Sequence, residues 1–155
     1  MSAKPASKAP AAGAAVILAL AATLVMHLEG VSLTGYADPI GIPTICFGHT
    51  GPEVEVGDIA TPNECRRLLD KDMAEHHRGL RRCLTRPIAA HEEAALVSWT
   101  YNVGVGAACK STLVRKANAG QPFCAELDKW VYAGGIKFRG LVKRRAAERK
   151  LCEGS

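Results

Sequence analysis

The sequence predicts an α+β protein: a small β lobe set near the N-terminus of a mainly helical domain, with an apolar helix ahead of both. Three observations predict it. Residues Ala11 to Leu28 (AAGAAVILALAATLVMHL) contain no Asp, Glu, Lys or Arg. The stretch from Gly35 to Asp58, GYADPIGIPTICFGHTGPEVEVGD, is broken by Gly and Pro every few residues. From Thr61 onward, capping residues and apolar positions recur at helical spacing. A chain of 155 residues has room for one domain with one sizeable core. No internal repeat is visible.

The N-terminal element comes first. MSAKPASKAP carries Lys4 and Lys8 and reads as a basic head before an apolar run, the pattern of an export signal or membrane anchor. The run of 18 residues lies at the lower edge of what spans a bilayer, about 17–25 residues. Seven of its positions are Ala, which adds little insertion energy, so the segment is weak enough to enter a membrane and to leave it. No Lys or Arg occurs between Glu29 and Cys65, so the positive-inside rule leaves the N-terminus in the cytoplasm and exports the body. All six cysteines (Cys46, Cys65, Cys83, Cys109, Cys124 and Cys152) lie in that body, an even number suited to disulfides in an oxidising compartment.

The β lobe follows. Short apolar pieces such as Thr44–Phe47, separated by Asp38-Pro39, Gly41, Pro43 and Gly48, predict a small antiparallel sheet with tight turns. Thr61, Pro62 and Glu64 then form a capping box with proline at the first helical position, opening a helix to about Cys83. Further helices are predicted around Ala89–Val103, Ser111–Asn118 and Phe123–Val131, and a last one, dense in Lys and Arg, over Leu141–Cys152.

Charge is divided along the chain. Glu29 to Glu64 holds six acidic residues and no basic one, while Cys65 onward holds 18 Lys and Arg against nine Asp and Glu. A basic half suits an anionic polymer or lipid surface. An aromatic content of 5% together with an export signal speaks against nucleic acid.

Glu29 and Asp38 are separated by eight residues, and Asp38 and Thr44 by five. One carboxyl closes a helix and the other sits in a turn, so two acids on different elements can face each other across a cleft. Glycoside hydrolysis needs such a pair: a protonated acid for the leaving oxygen and an ionised partner for positive charge or water. Burial beside apolar side chains favours a protonated carboxyl, and Glu29 follows Met26 and Leu28. Thr44 can hold the water by its hydroxyl. Taken alone, the spacing favours a plainer reading, Glu29 as a helix-end carboxylate and Asp38 as a turn former. His27 reads as a helix-end residue, His49 as a structural hydrogen-bonding group, and His76-His77 as adjacent positions facing different ways. The Lys143–Arg149 run reads as a solvated face, and Trp99 and Trp130 as core.

Glu29-x8-Asp38-x5-Thr44, continued by TICFGHT, resembles the catalytic stretch of phage-type lysozymes, glycoside hydrolase family 24. Downstream blocks follow that family in order: Ser98-Trp99-Thr100-Tyr101-Asn102-Val103-Gly104, Ser111-Thr112-Leu113 with Asn118 and Gly120, Trp130 to Gly135, and Gly140-Leu141 followed by Arg144-Arg145. The N-terminal segment is similar to that of the signal-arrest-release endolysins of phages, whose apolar N-terminus is exported without cleavage.

The resemblance implies a lysozyme-like α+β fold with residues 1–28 as head and anchor and 24–155 as the muramidase domain. It implies that Glu29 is the general acid and that Asp38 and Thr44 activate water. Asn102 and Tyr101 would line the saccharide cleft, and Arg144 or Arg145 would orient Glu29. It implies disulfides between neighbours: Cys46 with Cys65, Cys83 with Cys109, Cys124 with Cys152. The partners expected are peptidoglycan, the host inner membrane through residues 11–28, and a functional link to a phage holin or pinholin; the protein would be a monomer without cofactor, metal or nucleic acid. It would act first at the periplasmic face of that membrane and then free in the periplasm. Two other readings stand beside this one: an exported lysozyme whose signal is cleaved after Ala21, and a non-catalytic, membrane-anchored wall-binding protein.

Overall fold

A computed structural model describes the backbone of residues 11–154 and the side chains of 13–154. The basic head, residues 1–10, lies outside the described residues.

The apolar run forms α1 (Ala11–Glu29). One side of it carries Ala21, Ala22 and Val25, all buried, with Ile17, Leu18 and Met26 packed partly against the same core. Small side chains let this face lie close against α3 (Ala90–Val103). The opposite side exposes Ala15, Val16, Ala19, Leu20 and Thr23, and the Thr23 hydroxyl donates back to the Ala19 carbonyl at 2.8 Å. The helix is therefore apolar on both sides, yet in this structure it is part of a protein core. Among the described residues, no helix is long and apolar enough to cross a membrane. Gly30 ends α1 in the left-handed conformation (φ 66°), its N–H bonding the Met26 carbonyl at 3.2 Å.

The β lobe follows at once: β1 (Ser32–Ala37), β2 (Pro43–Cys46) and β3 (His49–Thr50) form an antiparallel sheet in that order. Register is set by Tyr36 opposite Thr44, and by Thr44 opposite Thr50. Ile45, Cys46, Val54 and Cys65 make its own small core, closed by the Cys46–Cys65 disulfide. The loop after β3 covers the outer edge of β1, with Gly35 N–H on the Asp58 carbonyl at 2.7 Å.

Helix α2 (Pro62–Cys83) begins at the capping box read from the sequence, the Thr61 hydroxyl accepting from Glu64 N–H and the Glu64 carboxylate from Thr61 N–H. Helix α3 is central: Glu93 through Thr100 are all buried, with α1, α2 and α6 (Arg139–Cys152) around it. Trp99 is fully buried and meets Trp130 edge to face at 5.2 Å. Between α3 and α6 come α4 (Val105–Cys109), α5 (Thr112–Asn118), a 3-10 helix (Cys124–Lys129) and a hairpin of β4 (Tyr132–Ala133) and β5 (Ile136–Lys137). The region expected as a regular helix over Phe123–Val131 is thus a shorter 3-10 turn. Disulfides Cys83–Cys109 and Cys124–Cys152 staple α2 to α4 and the 3-10 helix to the end of α6.

Candidate active site

Gly30 stops α1 one residue after Glu29, so the Glu29 carboxyl stands on the last turn of a core helix. A carboxylate at a helix C-terminus meets the negative end of the helix dipole. Arg144 of α6 offsets this: its Nη1 donates to Glu29 Oε1. The Arg144 side chain is 8% exposed and that of Glu29 27%, so the carboxyl is gripped from inside and open to solvent outside. On its other side lies Gly48 in the β2–β3 turn (φ 79°), where a Cβ would come 3.2 Å from Glu29 Oε2. The neighbourhood of the Glu29 carboxyl is therefore a guanidinium and bare backbone, not the apolar pocket its place after Met26 and Leu28 suggested.

Asp38 closes β1 and organises the hairpin loop. Its Oδ1 accepts the N–H groups of Ile40 and Ile42 at 2.9 and 2.8 Å, and its own N–H donates to the Ile42 carbonyl. The buried Thr44 on β2 donates its hydroxyl to that same carbonyl at 2.9 Å. One residue, Ile42, thus sets Asp38 and Thr44 relative to each other. Asp38 Oδ2 makes no hydrogen bond among the described residues. Likewise, no hydrogen bond or ion pair among them joins Glu29 to Asp38 or Thr44.

Tyr101 and Asn102 occupy the end of α3. The Tyr101 hydroxyl donates to the Phe47 carbonyl at 2.8 Å, tying α3 to the turn that carries Gly48. Burial, with the charges of Asp72 and Glu29 adding to it, pushes that phenol well above its ordinary range, so it remains a donor. Its polar end is engaged within the protein. Asn102 is exposed, and its Oδ1 accepts from Arg145 Nη2 at 2.8 Å.

Of the two arginines left open by the sequence, Arg144 contacts Glu29. Arg145 turns inward to Asn102 and Glu148. Glu148 has no exposure, and its Oε1 accepts from Arg144 Nε at 3.3 Å and Arg145 Nη2 at 2.7 Å. The Lys143–Arg149 run is therefore not simply a solvated face: Arg144, Arg145 and Glu148 are buried within it. The signal for Glu148 was present in RRAAE, an acid three and four residues after two arginines and so on their side of a helix.

Behind the β2–β3 turn, His49 is buried between two carboxylates, Nδ1 on Asp72 at 2.6 Å and Nε2 on Glu53 at 2.7 Å. Burial opposes charge on the imidazole, but the hydrogen bonds and charges of Glu53 and Asp72 more than offset it and raise its pKa. His76 bonds the Asp72 carbonyl one turn back in α2, and His77 ties α2 to Glu93 of α3.

The phage lysozyme family profile matches residues 26–148. The SAR-endolysin of Enterobacteria phage P21 is 42% identical over 127 residues, covering 81% of this chain and 77% of its own. The SAR-endolysin of Pseudomonas phage phiKMV is 38% identical over 149 residues, covering 92% of this chain and 91% of its own. Among solved structures, the endolysin from Escherichia coli O157:H7 phage FAHEc1 superposes with a TM-score of 0.78 at 27% identity, covering 86% of this chain and 90% of that one. The active form of P1 phage endolysin Lyz shares the fold, with a TM-score of 0.76 at 21% identity over 93% of both chains. With a single Glu29-bearing helix, a β hairpin carrying Asp38 and Thr44, and these likenesses over most of its length, the chain belongs to the phage lysozyme family.

Proposed function

We propose that the protein is an endolysin that hydrolyses the glycosidic bond between N-acetylmuramic acid and N-acetylglucosamine in peptidoglycan, with Glu29 as general acid and Asp38 and Thr44 handling the water. The observation that carries this reading is the setting of Glu29: fixed by Arg144 on one side, backed by a glycine on the other, and open to solvent. Glu29 protonates the leaving oxygen as the bond to the anomeric carbon breaks. Thr44 has committed its proton to Ile42, so its oxygen can only accept from the water. Asp38, whose Oδ2 makes no hydrogen bond among the described residues, takes the water's other proton as the oxygen attacks from the opposite sugar face. An inverting displacement needs sugar and water between the two acids, and among the described residues no hydrogen bond or ion pair joins Glu29 to Asp38 or Thr44. Digestion of purified peptidoglycan tests the assignment. Glu29→Gln and Asp38→Asn are expected to lose at least about two orders of magnitude in rate, and a Glu29→Gln variant of near wild-type rate would remove Glu29 from the chemistry.

The same helix supplies the regulation. In the exported, anchored state residues 11–28 lie in the inner membrane; release lets Ala21, Ala22 and Val25 join α3 and brings Glu29 to Arg144. One helix cannot bury these residues in lipid and in the core at once. Cleavage after Ala21 would strip Ile17, Leu18 and Ala21 from the core, which favours an uncleaved segment. N-terminal mass spectrometry of the exported protein decides between retention and cleavage. Membrane-bound protein is expected to digest peptidoglycan far more slowly than released protein, and equal rates would rule the regulation out. A holin or pinholin would act by disturbing the membrane that holds α1, and the released enzyme would work as a monomer in the periplasm.

A further inference from the structure

Glu148 stands out among the buried charges because it takes no part in the reaction yet bonds the arginine that holds Glu29. It has no exposure, lies on α6 one turn beyond Arg144, and takes hydrogen bonds from both Arg144 and Arg145 through one oxygen. Its second oxygen, Oε2, is buried without a partner, as is Nη2 of Arg144. A fully buried carboxyl is costly to keep unless it is paired and hydrogen-bonded. Burial pushes it up to about 7, with Arg145 and Arg144 pulling the other way.

Arg144 meets two acids with different atoms: Nη1 goes to Glu29 and Nε to Glu148. A guanidinium given wholly to one carboxyl favours its ionised form, the wrong form for a general acid. We propose, resting on the assignment of Glu29 above, that Glu148 is a positioning residue: it divides the Arg144 guanidinium, fixing where Arg144 holds Glu29 and weakening the field Arg144 exerts on it. The charged and titratable groups around this arrangement are Glu29 from α1, the Tyr101 hydroxyl from α3, and Arg144, Arg145 and Glu148 from α6; the uncharged Asn102 amide completes it. Glutamine at position 148 removes this second carboxylate and leaves Glu29 as the acid that Arg144 meets.

The test is the pH dependence of kcat and KM for wild type, Glu148→Gln and Glu148→Asp on purified peptidoglycan, with Glu29→Gln alongside. The alkaline limb reports loss of the acid's proton. In Glu148→Gln it is expected to move to lower pH by about one unit, the scale of one nearby charge, with KM little changed. Glu148→Asp keeps the charge with shorter reach and is expected to shift the limb less, in the same direction. If the Gln variant does not fold, the Asp variant carries the test. An unmoved limb with lowered activity in the folded variant means Glu148 is merely structural and overturns the proposal. An inactive wild type, or a fully active Glu29→Gln, overturns the assignment of Glu29 and the proposal with it, and is distinguishable from the first failure.

Discussion

Glu29 and Arg144 are 115 positions apart and meet as an ion pair between the last turn of α1 and the first half of α6. Since α1 is also a core helix, the pair joins the first helix of the core to its last. Removing the guanidinium leaves Glu29 on a helix end with neither charge compensation nor a fixed rotamer. Arg144→Met is expected to lower kcat by about 10–100-fold, with a smaller change in KM. Arg144→Lys should recover only part, because one ammonium cannot serve Glu29 and Glu148 as the fork does. Steady-state kinetics on purified peptidoglycan measures both, and an unaltered kcat in Arg144→Met would detach the pair from catalysis.

Gly48 offers a second handle on the same carboxyl. An alanine there must hold φ 79° and bring its methyl 3.2 Å from Glu29 Oε2. The backbone term alone costs about 1–2 kcal/mol. Gly48→Ala should therefore lower the midpoint of thermal unfolding modestly and reduce activity by more than stability explains. Comparison with Gly57→Ala (φ 94°, no atom within 4 Å of the added methyl) isolates the contact with Glu29. Equal activity losses in the two variants would show that the methyl does not act through Glu29.

His49 links stability to pH. Its folded pKa is raised above the ordinary 6.5 by Glu53 and Asp72. The stabilisation is fully present below the unfolded value and is lost as pH rises through the folded one. The stability difference between wild type and His49→Gln should thus be largest near about pH 6 and shrink towards about pH 8. Urea unfolding across that range checks the sign, and a difference that grows with pH would contradict the pairing.

The Cys124–Cys152 disulfide closes 28 residues and ties the 3-10 helix to the end of α6. By loop-closure entropy, removing it should cost about 3–4 kcal/mol. The Cys124→Ala/Cys152→Ala variant should unfold at lower temperature in calorimetry, and full reduction of the wild type, which also opens Cys46–Cys65 and Cys83–Cys109, should lower the midpoint further. A midpoint unchanged in the double variant would mean that packing of α6 alone holds the helix.

Local chemistry made part of this fold legible. The Thr61–Glu64 capping box placed the start of α2 because its partners lie within one turn. Gly-Pro punctuation marked the β lobe for the same reason. Helix α4 stayed hidden because Gly104 and Gly106 weaken any helical signal over so short a span. The choice between Arg144 and Arg145 was illegible because neighbours on a helix point about 100° apart, and only the crossing of α6 with α1 and α3 decides which meets Glu29. The burial of Glu148 was missed likewise, since a charged run looks the same on a surface and between helices. In α1 the ambiguity is physical: with apolar side chains on both sides, its sequence suits lipid and core alike.

The most direct test is the chemistry of the cut ends. Peptidoglycan digested by wild type and by Glu29→Gln, separated and weighed by mass spectrometry, reports whether water entered the bond. Hydrolysis with Glu29 as the acid predicts muropeptides ending in reducing N-acetylmuramic acid from the wild type and almost none from Glu29→Gln. Anhydro-muramic ends, or reducing ends at undiminished yield from Glu29→Gln, would contradict it.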